Sequence, residues 1–397
     1  MLADATGYDP FSEEVLRDPG PASQWLLSSC PAHRFDGFDP PFWTLSRYED
    51  VLAATRDSAT FSSRYGQGPH FTEERGMKSD APVHTFFRKL VAQAFTPRAV
   101  ERMAPRIENI VRELIDGFVQ RGEADLYEEF ASPLPTIVIA EMLGVPAHDR
   151  SMFKVWSDAW VAAMGAADPA PYQQRIREMR SYLLEQVVVR QERLASGGEP
   201  SDDLITSLVR AEDGGERLSG EDVVNVVRQL LVGGNETTAS LLTNLLVRLT
   251  DEPGRLARLA EEPALVDAAV EESLRFDSPV LGLFRTTTCP VEKHGTVIPA
   301  GAKVMLHFGA ANRDPSVFDE PDSFSLDRDP AQLRKHLAFG SGVHVCIGAA
   351  LSRLEGRIAL RQLVERLPGL TITGPTERVA PFMLWGRASL PARWDVP

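Results

Sequence analysis

Apolar residues recur at helical spacing between charges from Val100 to about Gln120 and again from Tyr172 to Leu194, which predicts amphipathic helices over both stretches. A stronger signal follows. Ser219 stands as an N-cap with Asp222 three residues on, and Val223, Val226, Val227, Leu230 and Leu231 continue the pattern toward a stop at Asp251-Glu252-Pro253. About 30 residues at 1.5 Å each give roughly 45 Å, so this helix should cross the whole molecule. Near the start, Phe42-Trp43-Thr44-Leu45 reads as a short strand and Tyr48 to Arg56 as a helix. Alternation between Arg285 and Phe308, with turn chemistry at Pro299-Ala300-Gly301, predicts short strands and a hairpin. The polar run Ser196-Gly197-Gly198-Glu199-Pro200-Ser201 reads as a surface loop, because helical patterning resumes at once. There are no repeats or low-complexity tracts, and the length could hold two or three domains or one large unit over residues 1–397, mainly α with a small β-rich portion.

Composition narrows this picture. The 397 residues are 43% hydrophobic and 25% charged, the balance of an ordinary globular protein. Cys30, Cys289 and Cys346 are far apart and odd in number, so no disulfide framework is indicated and a reducing compartment is expected. No apolar run approaches the roughly 18 residues needed to span a bilayer, and the N-terminus lacks a basic-then-apolar signal pattern, so a cytoplasmic protein without membrane association is expected. A formal charge of −14 argues against general nucleic-acid binding, which requires a concentrated basic surface.

Candidate chemistry concentrates in Phe339-Gly340-Ser341-Gly342-Val343-His344-Val345-Cys346-Ile347-Gly348. Cys346 precedes a small-residue helical run, where free N–H groups and the helix dipole favour a thiolate. Glycines at 340, 342 and 348 leave room for the chain to turn and for a large flat ligand to approach the backbone. One cysteine cannot build a closed four-ligand zinc site, but it can serve as the single protein ligand to heme iron.

The spacing Phe-x-x-Gly-x-His-x-Cys-x-Gly, filled here by Phe339, Gly342, His344, Cys346 and Gly348, resembles the heme-binding loop of the cytochrome P-450 family. Three further segments carry the same resemblance. Gly233-Gly234-Asn235-Glu236-Thr237-Thr238 interrupts the long helix with two glycines that cost roughly 1 kcal/mol each relative to alanine. Close helix packing could explain them, but the acid and hydroxyl that follow resemble the family's oxygen-activation segment, where the helix opens beside the heme. By that match Thr237 hydrogen-bonds the reacting dioxygen and Glu236 relays protons from solvent. Glu272-Ser273-Leu274-Arg275 resembles the family's Glu-x-x-Arg ion pair, although Ser323 occupies the usual place of a third cationic partner, leaving Arg328 or a backbone carbonyl to complete the network. His84 and Arg88, four apart on one helix face, resemble the family's clamp on the heme propionates, and Arg285 and His344 match two further propionate ligands.

The resemblance implies the cytochrome P-450 fold, heme b bound through Cys346, and insertion of one oxygen atom from O2 into an apolar small molecule. With no Gly-rich dinucleotide motif after a strand, electrons would come from NAD(P)H through a separate ferredoxin or flavodoxin and its reductase, docking near Arg334, Lys335, Arg353 and Arg357. By position, Val226, Leu230, Gly233, Val280, Leu283, Phe284 and Met383, with neighbours in the Val280–Phe284 and Phe382–Trp385 segments, should line the substrate pocket. Arg64, His70, Arg75 and Lys78 are the loop cations that could reach its opening; with neutral walls, a neutral substrate is expected. Two rivals use the same thiolate. A peroxide-driven enzyme would replace the acid–Thr pair, and a heme-thiolate sensor would not need the oxygen-activation helix.

Overall fold

The Ser219 cap forms as its sequence demands. Ser219 Oγ accepts the Asp222 N–H at 3.1 Å and the Asp222 carboxylate accepts the Ser219 N–H at 3.1 Å, a reciprocal capping box. The helix it starts runs unbroken for 31 residues, Gly220–Thr250. In the computed structural model, which describes residues 8–73 and 75–396, this helix packs against those at Pro133–Leu143, Arg150–Gly165, Gln173–Ala195, Val266–Phe276 and Ala349–Arg366. Contact with so many neighbours explains why most of its faces carry Leu and Val. Among the described residues no helix is long and apolar enough to cross a membrane.

The helix expected from Val100 to Gln120 is instead two, Pro97–Glu101 and Ala104–Asp116, with a short 3-10 turn at Val119–Arg121. Pro105 is the reason: it has no N–H to donate and its ring would collide with the carbonyl four residues back, so it can only open a new helix. The stretch from Tyr172 to Leu194 behaves as expected, forming Gln173–Ala195.

The β portion is a five-stranded sheet in the order Ala32–Phe35, Phe42–Leu45, Lys303–Leu306, Leu283–Thr287, Phe61–Ser62, with one parallel pairing and the rest antiparallel. A three-stranded sheet joins Glu123–Asp125 to Pro391–Arg393 and Thr371–Ile372. The predicted turn at Pro299–Gly301 is a bend that returns the chain to the main sheet, Gly301 donating to the Thr287 carbonyl at 2.7 Å. The hairpin itself pairs Val291–Lys293 with Thr296–Ile298 around His294 and Gly295, both at positive φ as a tight two-residue loop requires.

Glu272 and Arg275 are fully buried and joined by two hydrogen bonds of 2.8 Å. Arg328 Nε adds a third at 2.8 Å, and the carbonyl of Ser323 accepts from both arginines, at 3.0 and 2.7 Å. Both candidates for the missing partner therefore contribute.

Candidate active site

A cavity separates the long helix from the Cys346 loop. Its volume, about 300 Å³, lies at the lower end of the roughly 300–1,000 Å³ of ligand clefts. Cys346, Phe339, Gly340, His344 and Gly348 line one side; Gly233, Gly234, Glu236 and Thr237 line the long-helix side.

Glycine chemistry shapes the loop. Gly342 has φ +71°, and a Cβ there would stand 2.6 Å from the Thr55 carbonyl, so no other residue fits without displacing backbone. The Cys346 N–H donates to the Phe339 carbonyl at 2.9 Å, closing the loop on itself. Below it, Arg353 lies 4.5 Å from the Phe339 ring centroid and pairs with Glu271 at 2.6 and 2.9 Å. Burial pushes the Glu271 carboxyl up, but hydrogen bonds from His336 and Arg353 outweigh it and hold it at about 2.

The sulfur of Cys346 is open to the cavity yet surrounded by protein. Burial raises its thiol pKa, while the amides of Gly348 and Ala349 and the charges of Arg88 and Arg353 pull the other way and do not prevail. A helix N-terminus thus leaves the thiol protonated here; a cation bound to the sulfur would reverse the balance.

The clamp residues converge although the sequence separates them widely. The rings of His84 and His344 lie 4.1 Å apart, and the Nε2 atom of each is buried without a hydrogen-bond partner. Arg285 is buried and lines the cavity, donating only to its neighbour's carbonyl, Phe284 O, at 2.8 Å; burial pushes its pKa down to about 10. Neither Arg88 nor Arg285 has a carboxylate within ion-pair distance among the described residues. Buried Arg285, half-buried Arg88 and two orphaned imidazoles form a group of cations and donors with no carboxylate in ion-pair contact among the described residues. A heme with two propionate carboxylates fits both this deficit and the single sulfur nearby.

Across the cavity, a Cβ on Gly233 or Gly234 would meet nothing within 4 Å. These glycines therefore do not serve close helix packing; they clear space beside the loop. The expected opening is supplied by missing side chains, since the helix itself stays continuous and Thr237 Oγ1 donates to the Gly233 carbonyl at 2.7 Å. Glu236 is buried, and desolvation pushes its carboxyl up to about 7.

Leu230, Gly233, Val280 and Leu283 line the cavity as expected, joined by Leu384. Val226, Phe284 and Met383 do not, nor do Leu281, Phe382 and Trp385. Strand alternation explains the split: Leu283 and Arg285 face the cavity, and Phe284 between them faces a cluster with Phe42, Phe382 and Met383. Val226 packs into the main helical core. Of the four loop cations, only Lys78 reaches the cavity. Arg64 pairs with Glu73, Arg75 with Asp222 and Glu216, and His70 meets the Ala166 carbonyl at 2.7 Å. On the proposed docking face Arg334 and Lys335 are exposed, while Arg353 and Arg357 already pair with Glu271 and Asp267.

Sequence reasoning missed Trp160, Val161 and Met164, which wall the cavity from the helix Arg150–Gly165, and also Arg228, Gln229 and Glu355. Gln229 carried a usable signal, standing four residues before Gly233 and eight before Thr237 on one helix face. Trp160 carried none. The Glu355 carboxyl is pushed up to about 8 by burial, and its Oε2 has no partner.

Comparison with known proteins agrees with this geometry. The family model for cytochrome P450 matches residues 38–374. The cytochrome P450 monooxygenase PikC of Streptomyces venezuelae is 39% identical over 97% of this chain and 93% of its own length. A vitamin D(3) 25-hydroxylase of Pseudonocardia autotrophica is 37% identical over 92% of this chain and 90% of its own. The solved structure of cytochrome P450 CYP109Q5 from Chondromyces apiculatus superimposes with a TM-score of 0.88 at 37% identity, covering 98% of this chain and 99% of that one. On a glycine-shaped cysteine loop, a glycine-cleared helix and relatives of this similarity, the chain belongs to the cytochrome P450 family and is a heme-thiolate monooxygenase.

Proposed function

We propose that Cys346 ligates the iron of heme b, that His84, Arg88, Arg285 and His344 hold its propionates, and that Glu236 and Thr237 manage protons and hydrogen bonds at the reacting oxygen. The observation that carries this reading is the anion-deficient cluster: buried Arg285 and half-buried Arg88 without carboxylate partners and two orphaned imidazoles, with Arg285 and His344 in the same cavity as one thiol. When bound, heme supplies the activation of O2 and the insertion of one oxygen atom into a C–H bond or equivalent position. The protein does the rest. Phe339 and Gly348 shape the loop around the sulfur, and Gly233 and Gly234 leave room above the ring plane. Thr237, now bonded to the Gly233 carbonyl, can turn its hydroxyl toward the reacting oxygen. Glu236, poised near neutrality, can both accept and release a proton at physiological pH.

The whole chain serves as one heme unit. Electrons from NAD(P)H arrive through a separate ferredoxin or flavodoxin and its reductase, with Arg334 and Lys335 as exposed docking charges. Three unpaired cysteines suit a reducing compartment, the cytoplasm. Leu230, Val280, Leu283, Val161 and Met164 favour an apolar small-molecule substrate.

The test is spectroscopic and functional. Reduced protein with CO should show the red-shifted Soret band of a thiolate heme, and Cys346→His should abolish it. NAD(P)H-dependent product formation with surrogate redox partners should exceed that with peroxide alone. Retention of the band in Cys346→His would remove that cysteine as ligand, and peroxide-only activity would favour the peroxygenase.

A further inference from the structure

Gln229 lines the cavity with an amide that nothing in the protein satisfies. The amide lies against Gly76, where a Cβ would stand 3.2 Å from Nε2, and both Nε2 and Oε1 are closed off without a hydrogen-bond partner. Among the described residues no other side chain has two buried polar atoms in that state. A closed-in amide that bonds to nothing costs stability, and a ligand that met both its groups would recover that cost.

The surroundings are apolar or already engaged. Trp160, Val161 and Met164 wall the cavity from the helix Arg150–Gly165, and Leu230 follows Gln229 on its own helix. The neighbouring cations, Lys78 and Arg228, lie 5.6 and 4.2 Å from the centroid of the Trp160 ring, whose face attracts their charge. The helix then sets a distance. Gln229, Gly233 and Thr237 follow one another at four-residue steps, so about 6 Å along the axis separates Gln229 from the glycine gap and about 12 Å separates it from Thr237. Helical side chains lean toward the N-terminus, which carries the amide further from Thr237.

We propose that Gln229 binds a hydroxyl on an otherwise apolar, neutral substrate, and so holds the carbon to be oxidised about 6–12 Å from that hydroxyl, beside Gly233 and Thr237. The proposal rests on the reading of this cavity as the place where substrate meets heme. A hydroxyl donates and accepts at once, so it satisfies Oε1 and Nε2 together, whichever way round the amide lies. A carbonyl meets only Nε2, and a carboxylate is repelled by Oε1. The substrate is therefore an apolar alcohol whose skeleton spans that distance.

Gln229→Met keeps the length of the stem and removes the amide. The heme band of holoprotein would be titrated with cyclododecane, cyclododecanol, cyclododecanone and cyclododecanecarboxylic acid, which share one ring. From wild type to Gln229→Met, the affinity for cyclododecanol relative to cyclododecane should fall about ten-fold, and the relative affinity for cyclododecanone should fall less. The ratio cancels a general loss of packing, so a glutamine with a merely structural role would not move it. With surrogate redox partners, wild type should oxidise cyclododecanol mainly at ring carbons opposite the hydroxyl, and Gln229→Met at carbons all round the ring. An unchanged affinity ratio, or an unchanged product pattern, would overturn the proposal. So would tightest binding of the acid in both proteins, which would pass the anchor to Lys78 or Arg228. If none of the four compounds shifts the heme band, the substrate reading of the cavity fails and the proposal falls with it; if they shift it and the ratio stays, the anchor alone fails.

Discussion

The buried cluster of Glu272, Arg275 and Arg328 and the partly buried cluster of His84, Arg88, Arg285 and His344 have similar ingredients and opposite states of completion. In the first, the carboxylate takes two arginines and the Ser325 N–H, and the remaining arginine donors reach the carbonyls of Asn312, Pro321 and Ser323. In the second, two imidazole nitrogens have no partner and two guanidiniums have no carboxylate. A complete cluster needs nothing from outside and serves the fold. An incomplete one is costly in the heme-free protein and marks where an anionic ligand belongs.

The sharpest way to break this comparison is to truncate one arginine from each cluster in heme-free protein. Arg275→Ala leaves Glu272 buried beside fewer cations and should cost about 3–5 kcal/mol in urea unfolding. Arg285→Ala removes a desolvated, unpaired charge and should be near neutral or stabilising. Equal losses would erase the distinction between the clusters.

A second test contrasts Glu236 with Glu271 by pH. The Glu236 carboxyl is raised to about 7, so the native state binds a proton that the unfolded state releases above the ordinary value near 4.5. Stability contributed at low pH is therefore lost as pH rises from about 4.5 to 7, and Glu236→Gln should gain about 2–3 kcal/mol over wild type at pH 8. Glu271, held at about 2, runs the other way: its contribution is present above 4.5 and lost as pH falls toward 2. Thermal melts of Glu236→Gln and Glu271→Gln across pH 2–8 check both signs.

Once heme is bound, Arg285 should change from a neutral residue to a needed one. Arg285→Ala should then weaken heme retention by about 2 kcal/mol, near 30-fold in heme transfer to apomyoglobin, because a buried charge pair is truncated. A retention time equal to wild type would remove Arg285 from the clamp.

The smallest effects separate core from pocket. Val226→Ala should destabilise by about 1–2 kcal/mol without changing ligand-induced spectral shifts, and Val280→Ala should change those shifts with less loss of stability. Reversal of the two would return Val226 to the pocket wall.

Much of this site was legible in the chain because its signals are local. The Ser219–Asp222 cap, the glycines of the Cys346 loop and the four-residue spacing of His84 and Arg88 are fixed by backbone geometry within one or two turns. Periodicity also showed that Leu283 and Arg285 share a face, and that Leu230 and Val226 share another. It could not show what those faces meet. Leu230 reaches the cavity while Val226 meets helical core; Phe284, one residue from two cavity-lining neighbours, is turned into aromatic packing. The partners of Glu272 and the wall formed by Trp160 join residues from separate elements. Sequence determined which side chains stand together along an element, because helix and strand periods are properties of the backbone; which element each face meets is a long-range packing outcome that only the tertiary structure decided.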